Sequence, residues 1–276
     1  MTLGELFREG KGALEASGVA EWELDAWYLL EYAIGCTKSR YYMDCGRPVE
    51  DEAAERYRAL IRKRGCRVPL QYLTGSQAFM GYSFLVTEDV LIPRQDTEIL
   101  VETALAYIRP GMDILDLCTG SGCILLSILK LIPEVSGVGT DVSEKALLVA
   151  EENRKRLGVA AEFQQSDLFK QVEGAYDRIL SNPPYIPSEV IGTLMEEVRG
   201  YEPRLALDGG EDGLCCYREI IRQSPGYLKS GGMLFLEIGY DQAEAVTGLM
   251  KQDFTGIHVV KDLAGLCRVV YGSRKP

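Results

Sequence analysis

The sequence predicts an α/β protein: a small helical domain, then a mostly parallel sheet of seven strands with an antiparallel strand at its C-terminal end. Three observations carry that expectation. Helix-period apolar patterns alone fill roughly the first 65 residues. From Thr97 onward, short apolar strands alternate with helical stretches, the grammar of a parallel sheet with right-handed crossovers. The last two apolar runs are too close together for a helical crossover and must pair antiparallel.

The elements follow in order. Thr2 and Glu5 have capping-box spacing, with Leu3, Leu6, Phe7, Ala13 and Leu14 behind them at helical intervals. A second helix spans residues 21–34 (Trp22, Ala26, Trp27, Leu29, Leu30, Ala33) and closes at Gly35; a third spans 50–64 (Ala53, Tyr57, Leu60, Ile61) and closes at Gly65. Between 77 and 92 the pattern changes to β-type runs, 82–87 and 90–92, around Gly81 and the pair Glu88 and Asp89, which suggests a hairpin linker. We therefore expect a helical domain over 1–75, a linker over 76–96 and the sheet domain over 97–276. In the last, a helix to 108 precedes strands at 113–117, 137–141, 161–164, 178–181 and 233–238. Helices start at Ser121, Ser143 and Gln242, and the closing strands are 258–260 and 267–271.

With 46% hydrophobic and 26% charged residues the chain has the makings of a folded core, which excludes disorder over most of its length. A net charge of −11 argues against a surface built to hold duplex nucleic acid through phosphates. The densest basic run, Arg56, Arg58, Arg62, Lys63, Arg64 and Arg67, reads as a solvated helix face. No apolar stretch reaches the roughly 18 residues of a membrane span and no secretory leader opens the chain, so a cytoplasmic location without membrane attachment is expected. The eight cysteines form no CxxC pair and the only histidine, His258, lies in an apolar strand, so no metal site and no histidine-based triad is expected.

Residues 113–123 (Asp-Ile-Leu-Asp-Leu-Cys-Thr-Gly-Ser-Gly-Cys) combine a buried strand, a glycine turn and a helix start. Gly120 and Gly122 let the backbone approach a ligand where a Cβ would collide. The third glycine of a dinucleotide fingerprint is replaced by Leu125, and no Lys-Ser/Thr pair follows for a nucleoside triphosphate. Asp116, Asp141 and Asp167 stand at or just beyond successive strand ends, where they would repel a pyrophosphate. They suit a cofactor carrying a ribose, an adenine and a positive charge, as S-adenosylmethionine does: Asp141 for the ribose hydroxyls, Asp167 for the adenine amino group, Asp116 near the sulfonium end.

The strand at 178–181 ends in Asn182-Pro-Pro-Tyr185. Paired prolines fix φ and remove two N–H donors, leaving a rigid loop rich in acceptors. The Asn182 side-chain oxygen and the Pro183 carbonyl could grip both hydrogens of a planar NH2 group, with Tyr185 stacked on its plane. Both motifs converge on methyl transfer to an amino or amide nitrogen, chemistry that needs no histidine base.

Together, the loop 116–122 and Asn182-Pro183-Pro184-Tyr185 resemble the class I S-adenosylmethionine-dependent methyltransferases, whose core is Rossmann-like. Residues 69–75, 90–98, 202–213 and Leu236-Glu-Ile-Gly239 narrow the resemblance, nearly end to end, to the HemK/PrmC family. That resemblance implies N5-methylation of the glutamine in the Gly-Gly-Gln motif of class I peptide-chain release factors, with the helical domain helping to dock that substrate and the enzyme acting as a monomer. It also implies that Cys118, Thr119, Gly120, Ser121, Gly122, Asp141, Asp167, Leu168 and Asn182 surround the cofactor. Asn182, Pro183, Pro184 and Tyr185 then hold the glutamine amide, with Arg94, Thr97 and Glu98 bordering the site. The sequence departs from the family pattern in two places: the first glycine common in the family's cofactor loop is Cys118 here, and the family's more usual Pro-Arg-Pro-Glu-Thr-Glu is Pro93-Arg-Gln-Asp-Thr-Glu98. The rival readings are an amino-methyltransferase acting on an adenine or guanine, disfavoured by the acidic charge and the flanking motifs, and a noncatalytic cofactor-binding factor, which would have no use for the rigid loop.

Overall fold

A computed structural model describes residues 1–276, which divide into two units. The first comprises Met1–Ser76 and the segment Met195–Tyr201; the second comprises Gln77–Leu194 and Glu202–Pro276.

The first unit is helical. Helix α1 (Leu3–Ala16) begins at a complete capping box: Glu5 N–H donates to Thr2 Oγ1 at 3.3 Å and Thr2 N–H to Glu5 Oε2 at 2.8 Å. Helix α2 (Trp22–Ile34) stops at Gly35, whose φ of +69° ends it in the left-handed region. Helices α3 (Lys38–Met43), α4 (Asp51–Gly65) and α5 (Leu70–Thr74) follow; α3 and α5 are too short to stand out as periodic patterns. Leu6, Leu14, Leu29, Leu30 and Tyr57 are fully buried where α1, α2 and α4 pack together. Tyr57 donates to the Ala26 carbonyl at 3.2 Å, and Gly10 of α1 makes room for its ring.

The basic run on α4 departs from expectation. Arg64 is buried rather than solvated: its Nε donates to Asp25 Oδ2 at 2.7 Å and its Nη2 to Glu197 Oε1 at 3.1 Å. Arg67 donates to the same Glu197 oxygen at 3.1 Å, and Tyr201 to the Cys66 carbonyl at 2.5 Å. These contacts bind Met195–Tyr201 into the helical unit. A buried guanidinium this well paired is structural, because removing either partner strands a charge.

The second unit opens with a hairpin, β1 (Ser76–Phe79) and β2 (Tyr82–Leu85), earlier than expected. Met80 and Gly81 form its two-residue turn, with φ of +49° and +77°, the signs that a tight hairpin turn with correct strand twist demands. Residues 90–92 join no strand; Val90 and Ile92 are buried as irregular chain, a case where an apolar run is core without being β. Next come α6 (Gln95–Leu105), β3 (Asp113–Leu117), α7 (Cys123–Leu131), β4 (Ser136–Asp141), α8 (Glu144–Leu157), β5 (Glu162–Gln165) and β6 (Tyr176–Ser181). The chain continues through α9 (Glu196–Tyr201), α10 (Cys215–Gln223), β7 (Leu228–Glu237), α11 (Ala243–Met250), β8 (Phe254–Lys261) and β9 (Cys267–Arg274).

The seven strands lie in the order β5-β4-β3-β6-β7-β9-β8. Strands β3 to β7 pair in parallel, and β9 runs antiparallel to both β7 and β8. Separate hydrophobic clusters fill each side: Leu125, Ile128, Leu180 and Phe235 in one, and Leu117, Ile179, Leu234 and Leu236 in the other. His258 sits exposed on β8, stacked on Tyr271 with 5.2 Å between ring centroids. No helix is long and apolar enough to cross a membrane. From β3 the chain turns outward to β4 and β5, then returns to place β6 on the other flank of β3. Such a reversal opens a crevice at the carboxyl ends of the two central strands, and both sequence motifs begin there.

Candidate active site

Beyond Leu117 the backbone turns through Cys118 (φ +57°), Gly120 (φ +54°) and Gly122 (φ +79°) into α7. The turn is fastened from three sides. Thr119 N–H donates to the Thr140 carbonyl at 2.9 Å, Gly120 N–H to Asp141 Oδ2 at 2.9 Å, and Asn153 Nδ2 to the Ser121 carbonyl at 2.9 Å. The second oxygen of Asp141 accepts from Ser143 N–H at 2.9 Å, so one carboxylate ties the glycine loop to the start of α8. Burial pushes its pKa up, while those backbone N–H groups oppose the shift.

The two glycines differ in use. A Cβ on Gly120 would meet nothing within 4 Å, and Gly120 lines a cavity of about 240 Å³. A Cβ on Gly122 would crowd Leu126, Phe163 and Ala150 at 3.0–3.3 Å, so this glycine serves packing beneath the loop. Cys118, with its left-handed φ, occupies a conformation that glycine adopts freely and other residues rarely do. Leu168 (φ +51°) is a second such residue on the same cavity wall. Strained backbone of this kind concentrates at functional sites.

The cavity brings together Cys118, Thr119, Gly120, Ser121, Asp141, Asp167, Leu168, Asn182 and Pro184 from the expected set, and Thr97 from the bordering segment. Asp167 is half exposed and pairs with Lys170 Nζ at 2.7 Å. Asp116 is not on the wall. Strand alternation turns it beneath the loop, fully buried, where its Oδ2 accepts from Thr119 Oγ1 at 2.6 Å and its Oδ1 has no partner. Burial pushes its pKa up to about 7. Its place is under the turn rather than against a ligand.

Asn182 emerges from β6 with its Nδ2 donating to Thr97 Oγ1 at 3.2 Å. Pro183 and Tyr185 lie behind the wall, Pro183 buried and Tyr185 partly so; burial pushes the Tyr185 phenol up. The loop is braced by residues 207–213: Ile186 N–H donates to the Leu207 carbonyl at 3.0 Å and Gly209 N–H to the Ile186 carbonyl at 2.9 Å. A Cβ on Gly209 would lie 2.7 Å from Tyr185 Cα, which explains a glycine there. Gln242 Nε2 donates to the Tyr185 carbonyl at 2.9 Å.

Arg94 also stands off the wall. Its guanidinium donates to the buried Glu202, which accepts from Ile92 N–H at 3.3 Å, so the pair pins together the chain that supplies Val90, Leu91 and Pro93 and the chain that supplies Pro203, Leu205 and Ala206. Glu98 accepts from Met80 N–H at 2.5 Å and steadies the hairpin turn. Sequence reasoning missed Asp89, Asp208, Ser143, Cys216 and the apolar wall from 203–206. The 202–213 segment, which the sequence singles out, finds its local purpose in these contacts.

Four aspartates line the cavity (Asp89, Asp141, Asp167, Asp208) and no lysine, arginine or histidine does. A polyphosphate would be repelled there, whereas a ligand with a positive charge, hydroxyls and an apolar base fits.

The matches to known proteins agree with this geometry. Residues 5–75 match the PrmC N-terminal domain and residues 95–197 the methyltransferase small domain. The release factor glutamine methyltransferase of Geobacter sulfurreducens is 40% identical over 264 residues, covering 95% of this chain and 93% of that protein. The enzyme of the same name from Cereibacter sphaeroides is 42% identical, covering 98% of each chain. The chain belongs to the release factor glutamine methyltransferase family. It carries a methyltransferase domain of Rossmann-like fold. In fold, the chain also resembles the 16S rRNA N2 G1207 methyltransferase of T. thermophilus, solved in complex with AdoMet and guanosine: TM-score 0.52, 16% identity, covering 72% of this chain and 50% of that one.

Proposed function

We propose that this protein transfers a methyl group from S-adenosylmethionine to the side-chain amide nitrogen, N5, of the glutamine in the Gly-Gly-Gln motif of class I release factors. One observation carries the chemistry: Asn182-Pro-Pro-Tyr185 leaves β6 at the wall of an acid-lined cavity that the glycine loop also lines. When bound, S-adenosylmethionine supplies a sulfonium-activated methyl group. Asp141 would hold its ribose, Asp167 and Leu168 would flank its base, and the open space beside Gly120 would admit it.

The chain's own groups then act on the glutamine. Asn182 Oδ1 and the Pro183 carbonyl each accept one amide hydrogen, which fixes the NH2 group and turns the nitrogen lone pair toward the methyl carbon. Tyr185 packs behind the loop that holds this geometry. As the C–N bond forms and the C–S bond breaks, positive charge grows on nitrogen and is stabilised by those two oxygens; the nitrogen then loses one proton to solvent. The helical unit over 1–75 supplies the docking surface for the release factor, and the enzyme works in the cytoplasm as a monomer.

Label transfer tests the reading. Purified protein is given S-adenosylmethionine carrying a labelled methyl group together with a class I release factor, total RNA or DNA in separate reactions. Label should enter the release factor and neither nucleic acid. Label in RNA or DNA alone would move the substrate to a nucleobase.

A further inference from the structure

The Leu236-Glu-Ile-Gly239 motif leaves β7 without lining the cavity, and it leads to a side chain that the chemistry above does not use. Gln242, three residues beyond Gly239, is buried, and its amide meets three backbone groups. Its Oε1 accepts from Gly239 N–H at 2.9 Å. Its Nε2 donates to the Tyr185 carbonyl at 2.9 Å and to the Gly213 carbonyl at 3.3 Å. One amide thus joins the exit of β7, the last residue of Asn182-Pro-Pro-Tyr185 and the end of the 202–213 segment. Two glycines permit the meeting: a Cβ on Gly239 would lie 2.8 Å from Gln242 Oε1, and a Cβ on Gly213 would collide with the Tyr185 carbonyl oxygen.

We propose that Gln242 is a positioning residue that clamps the C-terminal end of the Asn182-Pro-Pro-Tyr185 loop and so sets where the Pro183 carbonyl meets the substrate amide. The direction of its amide follows from its partners, because a backbone carbonyl only accepts and a backbone N–H only donates. Turned by 180°, the amide would set its oxygen against two carbonyls and its NH2 group against an N–H. The loop depends on such a clamp. Pro183 and Pro184 carry no N–H and cannot tie it down from within, so it is held from its ends. At one end Ser181 pairs with Leu117 in the sheet and Asn182 donates to Thr97. At the other, Ile186 N–H donates to the Leu207 carbonyl and Gln242 to Tyr185 itself. A shift of Tyr185 is carried through the stiff proline pair to the Pro183 carbonyl, and a misplacement of about 1 Å at a reacting group costs on the order of 100-fold in rate.

The kinetic arm of the test rests on the proposed glutamine substrate. Gln242→Met keeps the volume and removes every polar contact. Gln242→Asn keeps an amide one methylene too short to span Gly239 and Tyr185, and it folds readily because residue 242 is the N-cap of α11, where asparagine is favoured. Each variant should lower kcat about 10- to 100-fold, with the S-adenosylmethionine Kd and the release-factor KM within about threefold of the unaltered protein. Tyr176→Phe is the control for loss of a buried polar contact as such: its hydroxyl donates to the Glu173 carbonyl at 3.0 Å, at the opposite end of β6, and its kcat should be unchanged. Normal kcat in either folded Gln242 variant, or an equal fall in Tyr176→Phe, would overturn the proposal.

If the unaltered enzyme transfers no methyl to a release factor, the substrate reading fails, and the clamp is still tested without turnover. By amide hydrogen exchange, the Ile186 and Gly209 N–H groups, which bond across the braced end of the loop, should exchange at least about tenfold faster in Gln242→Asn while the amides of β6 keep their protection. Unchanged exchange at Ile186 and Gly209 refutes the clamp.

Discussion

Replacing Asp141 by alanine should separate cofactor binding from chemistry. One oxygen of this carboxylate accepts from Gly120 N–H and the other from Ser143 N–H, each at 2.9 Å, while the carboxylate lines the cavity. In the proposed complex the same oxygens would serve the two ribose hydroxyls. A hydrogen bond to a charged group contributes about 1.5–3 kcal/mol, and part of that is recovered when water replaces the lost partner. We therefore expect a net loss of about 2–4 kcal/mol, a rise of roughly 30- to 1000-fold in the Kd for S-adenosylmethionine. Loop 118–122 keeps its ties to Thr140 and Asn153, so kcat at saturating cofactor should fall by less than about tenfold. Calorimetric titration gives the Kd and methyl-transfer rates give kcat. Asp167→Ala is the internal comparison: its carboxylate is half exposed and already paired with Lys170, so its effect should be several-fold smaller. A Kd for Asp141→Ala within about threefold of the unaltered protein, or a loss confined to kcat, would refute the reasoning.

Three further outcomes are expected. Gly10→Ala puts a methyl group 2.0 Å from the Tyr57 hydroxyl in a fully buried contact, and the overpacking should outweigh the better helix propensity of alanine, lowering stability by about 1–3 kcal/mol in thermal melts. Cys118→Gly relieves a positive φ and should leave cofactor Kd within about threefold while holding or raising stability by about 0.5–1 kcal/mol; a large loss would show that the thiol itself packs something needed. The third concerns pH. The folded protein keeps protons on Asp116 and Glu237 up to about pH 7, whereas the unfolded chain releases them near pH 4, so folded stability should decline as pH rises through that interval, by at most about 1.4 kcal/mol per pH unit for each group. Asp116→Asn should flatten part of the decline in melting temperature between pH 5 and about 7; an unchanged slope would show that Asp116 is charged throughout.

What the sequence made legible was local chemistry. Gly120 and the Pro183-Pro184 pair announce their backbone conformations whatever surrounds them, and the strand-helix alternation around them was enough to bring both turns to one end of the sheet. What it hid depended on distant partners. Arg64 looked like one more cation on a solvated helix because Glu197, which completes its burial, lies 133 residues away. The hairpin was misplaced because Met80, an ordinary side chain, occupies a positive-φ turn position that an Asn-Gly pair would have announced. Asp116 carries the right chemistry for a ligand, but strand alternation points it beneath the loop, a matter of register that composition does not reveal. The apolar wall at 203–206 is held at the cavity in part by the Arg94–Glu202 pair, whose members are 108 residues apart.

The most direct measurement is to digest a class I release factor after reaction with the protein and S-adenosylmethionine, and to map its peptides by mass spectrometry. A glutamine methyltransferase places one methyl on the side chain of the Gly-Gly-Gln glutamine, and the Asn182→Ala variant leaves that peptide unmodified or nearly so while still binding the cofactor. Methyl groups on other residues, or equal modification by Asn182→Ala, would contradict the assignment of Asn182 and its loop as the holder of the glutamine amide.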